Sequence, residues 1–252
     1  ILAGTGTTTP TGLVFALVGL LGPTIGGVLF TYLTRDPTWR RDYWKRLVDP
    51  SRFRARWYLV IFLLVPVLMG LTALIDLLAG GAIAPYQERF LEMFGDSAAL
   101  PMLLLAILLI GPLPEEFGWH GYLLDRLQER HGAVIAAIQL GFIWAAWHLP
   151  LFFMPGTYQF EQGAFSIWFW TFMIAIVPLE VVMAWIYNNT NRSTLAIVLF
   201  HFSVVVTCNL LNATPGANII STVLWFVAAI AVTRMPMGGA RRASLLLARQ
   251  VS

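Results

Sequence analysis

The sequence predicts an all-α protein, a polytopic transmembrane helical bundle of about seven spans, and three observations predict it. The 252 residues are 58% hydrophobic and only 12% charged, about half the charged share of an ordinary soluble domain. Mean hydropathy is +0.73, which asks for lipid as the solvent of the outer surface. Basic residues recur in every second loop, as they do when helices cross a bilayer back and forth. The ten Trp and seven Tyr suit two interfacial belts.

Seven apolar stretches approach the length of about 20 residues that a helix needs to cross the hydrocarbon core. They are 10–33, 57–80, 99–119, 133–153, 164–187, 194–212 and 218–234, the last two being short. The segment from Thr34 to Arg56 carries eight of the 16 basic residues: Arg35, Arg40, Arg41, Lys45, Arg46, Arg52, Arg54 and Arg56. Arg126 and Arg130 come two spans later, Arg192 two spans after those, and Arg234, Arg241, Arg242 and Arg249 lie in the tail. With alternating spans, 15 of the 16 fall on one side and only Arg89 lies opposite. The positive-inside rule makes that side cytoplasmic. One false span would scramble this agreement.

The expected organisation is one integral-membrane domain over 1–252, with a basic cytoplasmic loop at 34–56 and a cytoplasmic tail at 235–252. The loop reads as a solvated, lipid-facing linker, with Trp39, Tyr43 and Trp44 marking an interfacial amphipathic stretch. Residue 1 is Ile, so a preceding segment, and with it an eighth span, is expected in a longer chain. The net charge of +3 reports topology; with no soluble basic domain to carry it, nucleic acid is not an expected partner. The single cysteine, Cys208, allows no internal disulfide and reads as a small core residue.

Ionisable groups within spans cost roughly 2.5–3.5 kcal/mol each on insertion scales, and they persist by facing the bundle interior and pairing. This chain keeps Glu115, Glu116, His120, His148, Glu180 and His201, while the fourth histidine, His131, sits in a loop beside Gly132. If 99–130 is one helix, Glu116 lies 15 residues before His131 and His148 lies 16 after Gly132. A helix rises about 1.5 Å per residue, so the two are level on an antiparallel pair. Glu116 and His120 share a face at i,i+4, as do Trp144 and His148. Glu115 points about 100° away from Glu116, so the two acids need not do one job. Glu180 and His201 are level by the same arithmetic about the turn at 188–192. Glu180 is expected to pair with His201 or with a backbone group.

The residue types suit hydrolysis. A carboxylate desolvated among apolar residues acts as a base near neutral pH. A histidine beside it holds a water or a metal, and a second stabilises an oxyanion. Histidines plus a carboxylate also compose a zinc set, although no HExxH is present.

Pro114-Glu-Glu-Phe-Gly-Trp-His-Gly-Tyr-Leu-Leu124 resembles the EExxxR motif of type II CAAX prenyl proteases and of the CAAX-protease and bacteriocin-processing family. Trp144-Ala-Ala-Trp-His148-Leu-Pro150 resembles the second motif, an aromatic residue four before a His, followed by Leu-Pro. Leu199-Phe-His201 resembles the third, a His four before an Asn. The resemblance covers roughly 15–215 in the right order. It implies a multi-pass intramembrane peptidase of a prokaryotic cell membrane, acting on a membrane-associated peptide or lipidated protein among membrane lipids. Glu115 would be the base that activates water, helped by His148. Glu116 would be the structural glutamate, and His201 would stabilise the oxyanion. The family is described as metallopeptidases; if zinc or another divalent metal is bound, Glu115, His148 and His201 are the implied ligands.

Two positions depart from the pattern. His120 stands where the family has Arg, and Val205 where it usually has Asn; Asn209, one turn further on, is the candidate substitute, its face rotated by about 80° from His201. Trp144 and Glu180 complete the supporting set. These departures keep open a catalytically silent scaffold or bacteriocin-immunity-type protein of the same fold. A proton-coupled transporter using Glu180 and the histidines is a third reading, although no inverted repeat accompanies it.

Overall fold

The structure is a computed structural model, and it describes residues 10–237. Every regular element among them is helical. The chain runs through α1 (Pro10–Thr34), α2 (Pro37–Val48), α3 (Arg56–Leu78), α4 (Ala84–Phe94), α5 (Leu100–Ile110), α6 (Pro112–Gly118), a π-helical turn (Trp119–Leu123), α7 (Leu124–His131), α8 (Ala133–His148), α9 (Tyr158–Gln162), α10 (Ile167–Asn189), α11 (Thr194–Leu211) and α12 (Pro215–Thr233). Seven stretches are long and apolar enough to cross a membrane, with α5 to α7 acting as one. Their outer faces carry Leu29, Leu63, Val67, Phe142 and Val227, each about half exposed or more. A water-soluble surface rarely tolerates so continuous an apolar cover. The chain is therefore a multi-pass integral membrane protein with a polytopic helical bundle.

Burial orders the layers. Half of the spans of α10 and α11 is buried against 17% of α1, so α10 and α11 form the centre and α1 the rim. The core between them is apolar, with Ile61, Leu140, Val182, Ile197 and Phe200 all closed to solvent. Local signals set the ends of the helices. Ser166, Ser193 and Thr214 each accept a backbone N–H of the first turn of α10, α11 and α12, which satisfies donors that a helix start leaves free.

The basic residues gather at one end of the bundle. Arg35 of the α1–α2 link reaches Glu129 of α7 at 3.0 Å, and Arg52 donates to the Asn191 carbonyl between α10 and α11 at 3.2 Å. Arg89 lies on α4, where it faces Glu92. The tail arginines 241, 242 and 249, and the segment before residue 10, lie outside the described residues.

Two expectations need correction. The 34–56 segment is no lipid-facing linker: α2 docks on the bundle with Tyr43, Arg46 and Leu47 buried. Those positions follow Trp39 at i,i+4,i+7,i+8, an amphipathic stripe that contains an arginine. The segment 99–130 is not one straight helix either. It breaks at Gly111, whose ψ of −89° lies outside the helical region, and it widens at the π-helical turn, where the Leu124 N–H reaches the Trp119 carbonyl five residues back.

Close packing of α1 on α6 fixes the broken segment from the rim side. The Thr24 hydroxyl donates to the Pro114 carbonyl at 2.5 Å. A Cβ at Gly118 would overlap the backbone of Pro23, while Gly22 has open space around it. Gly118→Ala is therefore expected to push α1 away and to destabilise the fold by about 1–3 kcal/mol. Thermal unfolding in detergent checks this, with Gly22→Ala expected to match the wild type or exceed it slightly.

Candidate active site

α6 and the π-helical turn bring Glu115, Glu116 and His120 to the bundle interior; α8 brings Trp144 and His148, α10 Glu180, and α11 His201. All seven are buried, and Glu116, His120 and Glu180 are wholly so. The two adjacent acids turn to different partners, as their angular separation requires.

Glu116 is pinned between two imidazoles. Its Oε2 faces His120 Nδ1 at 2.5 Å and its Oε1 faces His201 Nδ1 at 2.8 Å. A carboxylate oxygen can only accept from a ring N–H here, so His201 donates through Nδ1 and leaves Nε2 for other work. Beyond His120, Glu180 Oε1 stands 3.3 Å from Nε2, near but not aligned for a hydrogen bond.

Trp144 organises the other half of the site. Its indole N–H donates to Glu115 Oε2 at 2.7 Å. Its backbone carbonyl takes the Nδ1–H of His148 at 3.0 Å. Its ring packs edge-on against His201 at 5.1 Å and, tilted, against His148 at 5.8 Å. Trp147 and Phe172 wall the far side of His148. One residue thus fixes one atom each of Glu115 and His148. The hydrogen bonds to Glu115 and His148 are those of Trp144, to Oε2 and from Nδ1, with the Trp119 indole also near the Glu115 carboxyl but not aligned for a hydrogen bond; since a carbonyl can only accept, Nε2 of neutral His148 carries the lone pair.

This arrangement sits within a segment of known relationship. Residues 97–207 match the family described as Type II CAAX prenyl endopeptidase Rce1-like. A protein of Methanococcus maripaludis named CAAX prenyl protease 2 is 31% identical over 217 residues, spanning 86% of this chain and 79% of the relative. The chain belongs to the type II CAAX prenyl endopeptidase family. The matched segment contains every residue of the site but ends before Asn209 and excludes α1 and α2.

Within that family frame, the expected residues meet in part. Glu115 and His148 join through Trp144, and Glu116 joins His120 and His201. Three expectations fail on geometry. Glu180 faces His120 instead of His201. Asn209 turns its amide back onto the Val205 carbonyl of its own helix at 2.8 Å, so it is not a companion for His201. The set expected to hold zinc or another divalent metal, Glu115, His148 and His201, does not fit one. Among the described residues no three His, Cys, Asp or Glu side chains stand where one ion could bind all of them.

A second polar cluster, invisible as a site in the sequence, supports the first. The Arg46 guanidinium, closed to solvent, donates to Asp125 Oδ2 at 2.7 Å, to the Tyr187 hydroxyl at 2.5 Å and to the Gly121 carbonyl at 3.0 Å. Gly121 lies in the π-helical turn directly after His120. Arg192, from the α10–α11 link, also donates to Asp125, through Nε at 2.9 Å. It adopts φ +60° to do so, a left-handed conformation costly for arginine. Burial opposes the Arg46 charge, but Tyr187 and Asp125 beside it prevail and hold its pKa above the usual arginine value. The one available signal was the α2 stripe with an arginine on its apolar face.

Arg46→Ala leaves Asp125 with Arg192 and Tyr187 and takes the side-chain donor from the Gly121 carbonyl. We expect a loss of about 3 kcal/mol of stability, near the low end for breaking a buried pair, read by unfolding in detergent. Arg46→Lys should recover only part of it, because an ammonium lacks the planar fork.

Proposed function

We propose that the protein is an intramembrane endopeptidase that hydrolyses a peptide bond of a membrane-associated substrate, such as a prenylated peptide, with a water activated by Glu115 and His148. The observation that carries this reading is the double hold of Trp144. It fixes one atom of each residue and leaves Glu115 Oε1 and His148 Nε2 as the acceptors that a nucleophilic water needs. The name of the Methanococcus maripaludis relative supports the substrate class.

In this reading the water donates one hydrogen to Glu115 and the other to His148 Nε2. Glu115 takes the proton as the oxygen attacks the scissile carbonyl. His201, oriented by Glu116, turns Nε2 toward the developing oxyanion and stabilises it when that nitrogen carries hydrogen. Glu115 then returns its proton to the leaving amine nitrogen as the C–N bond breaks, giving a new carboxylate and a new amine. No step runs through a metal. Glu116 takes no proton in this scheme, being committed to two histidines. The basic end of the bundle would face the cytoplasm of a prokaryotic cell.

One observation favours a second reading, a catalytically silent member that binds a partner through the same cavity: His201 lacks a side-chain amide beside it, since Asn209 is engaged with Val205. Unchanged cellular phenotype on replacing both Glu115 and His148 would favour that reading.

Cleavage of a prenylated-peptide library by purified protein tests the first reading. Glu115→Gln is expected to lower turnover by at least about a hundredfold, and His148→Ala by a similar order, as loss of a general base does. Full activity of Glu115→Gln would remove that residue from the mechanism. Exhaustive chelation should leave turnover within about twofold of the untreated protein; loss restored by zinc would overturn the metal-free scheme.

A further inference from the structure

Glu180 is the buried acid beside the site that the proposed reaction does not use. It lies in the middle of α10, wholly closed to solvent, and neither of its carboxylate oxygens has a hydrogen-bond partner among the described residues. A bare carboxylate in an apolar bundle is costly, and packing alone gives no reason to keep it. The sequence makes room for it: a Cβ at Gly141 of α8 would overlap Val177 one turn before Glu180 and press on the Cβ of Glu180 at 3.4 Å. Among the described residues the one ionisable partner within ion-pair reach is His120, with Nε2 at 3.3 Å.

His120 in turn is held only at its other nitrogen, by Glu116, while the edge of Tyr187 closes one side of the ring at 5.4 Å. Glu180, His120, Glu116 and His201 therefore form an alternating string of acid and imidazole, with successive N···O separations of 3.3, 2.5 and 2.8 Å. It runs from α10 through the π-helical turn and α6 to α11, and it ends on the ring that faces the reacting carbonyl in the scheme above.

We infer that Glu180 is a positioning residue that, through His120, holds Glu116 and so sets the orientation of His201. This rests on the peptidase reading for its consequence in turnover, but not for its geometry. With Glu116 hydrogen-bonded at Nδ1 and the Glu180 carboxyl within ion-pair reach of Nε2, the imidazole of His120 is restrained from swinging about the Glu116 contact. Removing the Glu180 carboxyl leaves the Glu116 contact without that restraint. Glu116 then loses its fixed direction, and His201 moves with it. A misplacement of about 1 Å at a reacting group costs up to about a hundredfold in rate.

The test compares Glu180→Gln, which keeps the volume and removes the charge, in two backgrounds. In the native background we expect turnover to fall about tenfold with KM within about twofold. In the His120→Arg background the same change should cost less than about twofold, because a guanidinium fork reaches Glu116 without a second anchor. Glu180→Asp should fall between the native protein and Glu180→Gln. Native turnover in Glu180→Gln, an equal loss in both backgrounds, or a loss matched by the fraction of unfolded protein would each overturn the inference.

A second measurement needs no activity. With only four histidines, ring-nitrogen resonances of 15N-histidine-labelled protein in nanodiscs are separable. Glu180→Gln should shift both His120 and His201 and leave the exposed His131 unmoved. Absence of a shift at His201 would overturn the inference whatever the activity. A shift at His201 in a protein inactive on every peptide would sink the peptidase reading and leave the string standing.

Discussion

The bond on which the site depends is the double hold of Glu116 by His120 and His201. A carboxylate in the middle of a lipid-solvated bundle has no water to fall back on, so its two oxygens must be matched by donors from the protein. Those donors come from two segments distant in sequence, the π-helical turn and α11. Once they meet, α6 cannot slide along α11, and the register of the central helices is set. Glu115, one residue earlier, is carried to a different wall by helical geometry alone, where the Trp144 indole meets it. Adjacent acids therefore divide into one that is saturated and one that keeps an oxygen open.

The break at Gly111 and the widened turn after Gly118 make this possible. A straight helix across residues 99–130 would leave the two hairpins at depths several residues apart. The π-helical turn adds a residue to the ladder and shifts the register of α7. Such turns leave backbone groups short of partners, and in a membrane those groups need protein donors. Arg46 supplies one at Gly121 O, and Tyr43 donates to the Phe117 carbonyl at 3.0 Å. A helix that reads as a run of positive charge thus becomes the brace of the segment that carries Glu115, Glu116 and His120. Asp125 and Tyr187 keep the Arg46 charge tolerable so deep in the structure.

Much of this was legible in the sequence. Hydropathy and the alternation of basic loops find all seven spans, with ends within a few residues except at the long broken one. The i,i+4 spacing gives the Glu116–His120 pair. What could not be read depends on rotation and depth. Glu180 and His201 are level on a straight hairpin, but level residues meet only if their faces coincide, and α10 turns Glu180 toward His120. The same holds for Asn209, whose nearest acceptor is in its own helix. Arg46 was hidden by statistics: arginine in a basic loop is ordinarily solvated, and only its place on an apolar stripe set it apart.

Saturation and openness also explain why the departure at His120 is tolerable. An arginine at that position would bring a permanent charge and five donors to Glu116. A histidine brings two nitrogens, and a single carboxylate can anchor only one of them. The second must meet something, and in this chain it meets Glu180, an acid that would otherwise be an unmatched liability at the core of α10. Each of the two unusual residues is costly alone and reasonable beside the other. In a solvent that satisfies no polar group, atoms left without a partner are informative: the proposed reaction places its water at Glu115 Oε1 and His148 Nε2, and the inferred frame around it rests on Glu180.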